Sequence, residues 1–110
     1  MPSERTLEWR EKNKIFIEKW QRKMQGLRSR SFSENWDQDK YEMEVTQCIQ
    51  NQLMRDVFFF AKNYIAKHKF GKFRNLMATV YEEIIQYGVV EPSRLNSIKK
   101  AIEGARRKVT

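Results

Sequence analysis

Apolar residues recur along most of this chain at steps of three and four. The clearest run is Tyr41, Val45, Ile49, Leu53 and Val57, which recur every four residues; Phe60 and Tyr64 continue the stripe. That spacing holds all seven on one face of a 3.6-residue helix. Phe58, Phe59 and Ala61 widen the stripe until it nearly encircles the helix. The pattern predicts one long helix from about Asp37 to Phe70, with the other elements wrapped around its apolar centre. At ~1.5 Å per residue such a helix spans about 50 Å, so a kink or break is expected near Phe58–Lys62.

The remaining elements are read the same way. Ser3 is a suitable N-cap for a first helix that runs to Gln25 and stops at Gly26. Trp9, Phe16, Trp20 and Leu27 share one side of it, with Ile17 and Met24 beside them. Arg28 to Trp36 has serines and no helical stripe, so it reads as a loop. Asp37 or Asn35 then caps the long helix. Gly71 closes that helix, and a further helix from Lys72 to Tyr87 carries Phe73, Leu76, Met77, Val80 and Ile84. Gly88 ends it, and a last helix from Ser93 to about Lys108 shows Leu95, Ile98, Ile102, Ala105 and Val109. Six positions of Gly plus Pro and no Asn-Gly or Asp-Gly hairpin signal point the same way. The expectation is an all-α fold: a single helical domain over 1–110, as a four- to five-helix bundle around a long central helix.

Charge changes the picture next. The 110 residues hold 22 Lys and Arg against 14 Asp and Glu, a formal +8. An excess of this sign suits a polyanionic partner. It is also segregated, with a net of +5 over residues 1–30, −4 over 31–60 and +7 over 61–110. The acids Asp37, Asp39, Glu42 and Glu44 sit where the long helix begins, at the positive end of its dipole. They also offer a surface to the basic patch of a neighbouring copy.

Candidate chemistry is sparse. One His and one Cys, twenty residues apart, make no nucleophile–base pair. There is no HExxH, no paired CxxC, no Gly-x-Gly-x-x-Gly and no Walker-type loop. Glu82-Glu83 and Asp37/Asp39 are more simply a solvated face and a helix start than metal ligands. The expectation is no enzyme, no cofactor and no metal. Cys48, inside the long helix, reads as a small buried apolar residue. A lone cysteine cannot form an internal disulfide, so the compartment is reducing or unconstrained, and a cytoplasmic setting is expected. No run of 18 apolar residues spans a membrane, and the N-terminus lacks the apolar core of a signal peptide. The first helix has the basic residues and tryptophans of an interfacial helix, but its aromatics are more simply core and its four glutamates oppose anionic lipid.

The positive signal is basic residues interleaved with aromatics. One stretch is Arg28, Arg30 and Phe32, with Trp36 close behind. The second is Lys67, His68, Lys69, Phe70, Lys72, Phe73 and Arg74. Cations neutralise phosphates, and aromatic faces stack on unpaired bases. The helix start near Lys72 adds backbone N–H groups as a phosphate seat. Phe73 lies on the helix stripe and reads as core. A third basic group is Lys99, Lys100, Arg106, Arg107 and Lys108 on the last helix. A short turn before that helix leaves a helix-turn-helix alternative, whose outward face would carry Arg94, Lys99, Arg106 and Lys108. A protein-interaction adaptor, with the basic faces on acidic proteins, is the alternative from another class.

In its long first helix, its apolar Asp37–Phe70 segment and its basic patches at Lys67–Arg74 and Lys99–Lys108, the chain resembles the small subunits of CRISPR effector complexes. Phage helical DNA-binding proteins and small terminase-like subunits look similar at this level. The resemblance implies a basic helical protein that lines up with further copies of itself and other subunits and contacts RNA or single-stranded DNA through lysines and arginines.

Overall fold

The long central helix is two helices. In the computed structural model, which describes residues 4–109 and, for 105–109, the backbone alone, the order is α1 (Glu4–Lys12), α2 (Lys14–Ser33), α3 (Gln38–Cys48), α4 (Gln52–Lys67), α5 (Lys72–Tyr87) and α6 (Pro92–Val109). There is no strand among the described residues. Six helices therefore replace the expected four or five.

The break in the Asp37–Phe70 segment falls at Ile49–Asn51, not near Phe58–Lys62. Ile49 and Asn51 are extended, and the Asn51 side chain accepts a hydrogen bond from the Met54 amide at 3.2 Å. Asn51 is thus the N-cap of α4. Arg55 Nε donates back to the carbonyl of Ile49, at the open end of α3. The four-residue stripe hides this break, because Val45, Ile49 and Val57 are all buried on both sides of it. Phe59 departs from the expected apolar girdle and is 58% exposed.

The first helix also divides. Asn13 interrupts it, and its side-chain amide donates to the carbonyl of Trp9 at 2.8 Å. The N-cap expected at Ser3 lies outside the described residues. Beyond the break, α2 passes through Gly26 and reaches Ser33, so Arg28–Ser33 is helix rather than loop. The stop signal is Asn35, which adopts the left-handed conformation with φ 59°. The Trp36 amide then reaches back to the carbonyl of Ser31 at 2.9 Å, the long bond of a Schellman end. The serines that suggested a loop turn inward on their own helix, Ser31 Oγ to Arg28 and Ser33 Oγ to Arg30 carbonyls. Asp37 caps α3, accepting from the Lys40 amide at 2.8 Å.

α4 and α5 form an antiparallel pair at the centre. Phe58 stacks on Tyr81 with ring centroids 5.2 Å apart, while Phe60 and Tyr64 meet Phe73 near the connecting turn. Met54, Val57, Phe58 and Ala61 of α4 and Met77, Val80 and Ile84 of α5 are buried between them and their neighbours. α2 covers this pair with Ile17, Trp20, Met24 and Leu27, a stripe one position away from the expected Phe16, which is 46% exposed. α6 closes the core through Ile98 and Ile102. Cys48 is half-buried, not fully buried as expected.

Trp20 locks α2 to α5. Its indole Nε1–H donates to the carbonyl of Ile85 at 2.9 Å, in the last turn of α5. Gly88 ends that helix at φ 76°, its amide bonded to the Ile84 carbonyl. Only a glycine fits: a Cβ there would lie 2.6 Å from Trp20 Cδ2.

Candidate nucleic-acid interface

The α4–α5 turn brings together most of the second basic stretch. α4 ends at Lys67, and His68 caps it with an extended backbone and an amide bonded to the Tyr64 carbonyl. The chain reverses over Lys69, Phe70 and Gly71, the last at φ 119°, a region that only glycine enters freely. α5 starts at Lys72 with no side-chain cap and no acid in its first turn. The amides of its first turn thus lack the side-chain acceptor that usually satisfies them.

Aromatic rings stiffen this turn from below. The His68 imidazole stacks on Tyr64 at 4.1 Å between centroids, and Tyr64 meets Phe73 edge-on at 4.8 Å. Phe73 is packed against the core as expected. Phe70 is not: it stands 89% exposed at the tip. Lys67, His68, Lys69 and Lys72 are exposed around it, and no acid pairs with the three lysines among the described residues. Arg74 differs from them. Its Nε donates to the carbonyl of His68 at 2.9 Å, so it closes the end of α4 and holds the turn in shape.

The first basic stretch lies elsewhere. Arg28 borders a shallow groove with Gln21, Gln25, Ile85 and Gln86, beside the C-terminal end of α5. Lys72 and Arg74 are at the other end of that 16-residue helix, about 24 Å away at ~1.5 Å per residue. Arg28 and the α4–α5 turn therefore do not share one patch. Arg30 is ion-paired to Glu34 at 3.2 Å and lies over the Trp36 ring. Lys40 approaches the same ring to 5.5 Å. Trp36 is thereby half-buried under two cations, and Phe32, 91% exposed, is the open aromatic of this region.

On α6, Lys99 and Lys100 are exposed. The side chains of Arg106, Arg107 and Lys108 lie outside the described residues. Arg94, expected on an outward recognition face, turns inward. It pairs with the buried Glu83 and, at 3.6 Å, with Glu91. Glu83 also accepts the Glu91 amide at 2.7 Å. The carboxylate read as part of a solvated Glu82-Glu83 face thus fastens α6 to α5, and the helix-turn-helix reading loses a cation it needs.

The acidic start of α3 is largely engaged within the chain. Asp37 is a cap, Glu44 pairs with Lys40 at 3.0 Å, and Glu42 accepts from Tyr81 Oη at 2.8 Å. Burial, followed by the hydrogen bond to and charge of Glu42, pushes the Tyr81 phenol well above its ordinary range. Sequence reasoning missed this pair because Glu42 and Tyr81 lie on separate helices.

No group of three or more potential metal-ligating side chains occurs among the described residues, and no helix among them is long and apolar enough to cross a membrane. Comparison of the chain with protein-family models, with curated proteins and with solved structures gives no match.

Proposed function

We propose that the protein is a non-enzymatic, basic helical subunit of a ribonucleoprotein assembly, binding the backbone of RNA or single-stranded DNA through the α4–α5 turn. A CRISPR interference small subunit is the specific form of this reading. One observation carries it: Lys67, Lys69 and Lys72, with no acid partner among the described residues, surround a phenylalanine that is 89% exposed, on a turn held rigid from beneath. An apolar ring left in water is unfavourable unless a partner covers it, and unpaired cations beside it select an anionic partner. Phosphates answer the lysines, and an unstacked base answers the ring. A duplex offers no free base face, so single strands are favoured.

Fluorescence anisotropy with oligo(U), oligo(dT) and a random duplex at two salt concentrations tests this. Single strands should bind more tightly than duplex, with little sequence preference. Lys67→Glu, Lys69→Glu and Lys72→Glu together should remove most of that affinity. They should also lower the log–log salt slope by about 2, from ~0.7 per phosphate contact in single strands. Arg74 is left intact because it closes α4. Phe70→Ala should weaken binding without changing the salt slope. Unchanged affinity in the triple variant would refute the assignment, and a sharp preference for one duplex sequence would favour a DNA-binding regulator instead.

A further inference from the structure

Three interruptions of the helical chain converge on one side of the molecule: the Asn13 break, the Ile49–Asn51 break and the Gly88 turn. Helices that diverge at such points cannot close against each other, and a half-open groove of about 760 Å³ lies between them. Its walls are mainly apolar, with Trp9, Phe16, Trp20, Met54 and Leu95 among them. The volume lies within the range of small-molecule sites, and so does the mix of aromatic and aliphatic walls with a few polar groups. The polar amides here are occupied in part, since Asn13 bonds the Trp9 carbonyl and Asn51 caps α4. Charge is the distinguishing feature. Lys19 and Lys23 line the groove four residues apart on α2, both exposed, and no Asp or Glu lines it at all. Two like charges at this spacing repel each other slightly, and neither has an acid partner among the described residues.

We propose that this groove binds a small anionic amphiphile, a single long-chain carboxylate. Its carboxylate lies between Lys19 and Lys23, and its hydrocarbon tail lies against the tryptophans and Met54. The apolar walls provide affinity by removing tail and wall from water. The lysine pair selects the sign of the head group. The site is separate from the α4–α5 turn, at the other end of α5, and its occupancy does not depend on nucleic-acid binding.

Cys48 supplies the readout. It is the chain's one cysteine, half-buried, and it lines the groove. The rate at which a disulfide reagent modifies it is measured with a fourteen-carbon carboxylate below its micelle concentration, with the matching alcohol, and with the matching trimethylammonium. The carboxylate should slow modification at least fivefold, the alcohol less, and the ammonium not at all. Lys19→Glu with Lys23→Glu should abolish the protection while leaving the helical circular dichroism and oligonucleotide binding unchanged. Lys67→Glu, Lys69→Glu and Lys72→Glu should do the reverse, which separates this site from general adsorption to a basic protein. Equal protection by carboxylate and ammonium would overturn the proposal, as would no protection by any of the three. Protection by an acidic amphipathic peptide or by phosphatidylglycerol vesicles, but not by the free carboxylate, would overturn it too.

Discussion

Replacing Gly88 by alanine should be among the most damaging single-methyl changes available to this protein. Gly88 has φ 76° and sits directly against Trp20. An L-residue in this left-handed region costs about 1 kcal/mol or somewhat more. The added Cβ would lie 2.6 Å from Cδ2 and 2.7 Å from Cγ of an indole that is itself only 4% exposed. Ordinary carbon contacts lie near 3.5–4.0 Å, so the ring must retreat by roughly 1 Å. Retreat strains the core by about 1–3 kcal/mol. It also loosens the indole bond to Ile85, worth about 1 kcal/mol. The sum is about 3–5 kcal/mol, a large part of the ~5–15 kcal/mol typical of a whole domain. Urea denaturation followed by tryptophan fluorescence should show the midpoint falling by about 2 M, for a slope near 2 kcal/mol/M. Gly26→Ala is the matched control. Gly26 is inside α2, and its Cβ would meet nothing within 4 Å. That variant should gain about 0.5–1 kcal/mol from helix propensity. A Gly88→Ala protein within 1 kcal/mol of the parent would refute the Trp20–Gly88 lock and with it the seating of α2 on α5.

Three further outcomes follow from the packing. The Tyr81 phenol is held protonated above its ordinary range by burial and by Glu42. Its folded pKa is raised, so its contribution is complete below about pH 10 and is lost as pH rises beyond that. The stability difference between the parent and Tyr81→Phe should therefore shrink between pH 9 and pH 11, by about 1 kcal/mol after allowing for solvent screening of a half-buried group; a difference independent of pH would contradict the burial of the phenol against Glu42. Glu83→Ala leaves Arg94 only its 3.6 Å pairing with Glu91 and frees the Glu91 amide, and thermal unfolding should report a loss of about 2–3 kcal/mol, whereas Glu82→Ala, on the exposed neighbour, should change little. Asn51→Ala removes the N-cap of α4 and should cost about 1 kcal/mol in urea denaturation; no loss would mean that the α3–α4 break is held by Arg55 alone.

The sequence named the α4–α5 turn: glycine at 71, lysines on both sides, and an aromatic between them. Which aromatic was free came only from the packing. Phe73 falls on the stripe of α5 and enters the core, while Phe70 is on the turn and stays out. Arg28 and Arg30 looked equivalent to the lysines of the turn, because a linear charge count does not see neighbours. In three dimensions Arg30 faces Glu34 and Trp36, and Arg28 borders the far end of α5. Arg94 and Arg74 likewise changed from expected contact residues to fasteners of helix ends.

By itself, the sequence determined that the chain is helical, where α5 lies, and which residues supply most of its core. Those properties follow from local periodicity and from caps such as Asp37 and Gly88, whose partners lie within a few residues. The tertiary structure decided where the long apolar segments break and which charges remain free. A stripe of period four continues across a break as long as its positions before, at and after the break, Val45, Ile49 and Val57, are all buried. Whether a cation is spent depends on a carboxylate or carbonyl brought alongside by folding, as Glu83 is for Arg94. The surface at the α4–α5 turn, three exposed lysines around Phe70 with no acid partner among the described residues, is therefore a product of packing as much as of composition.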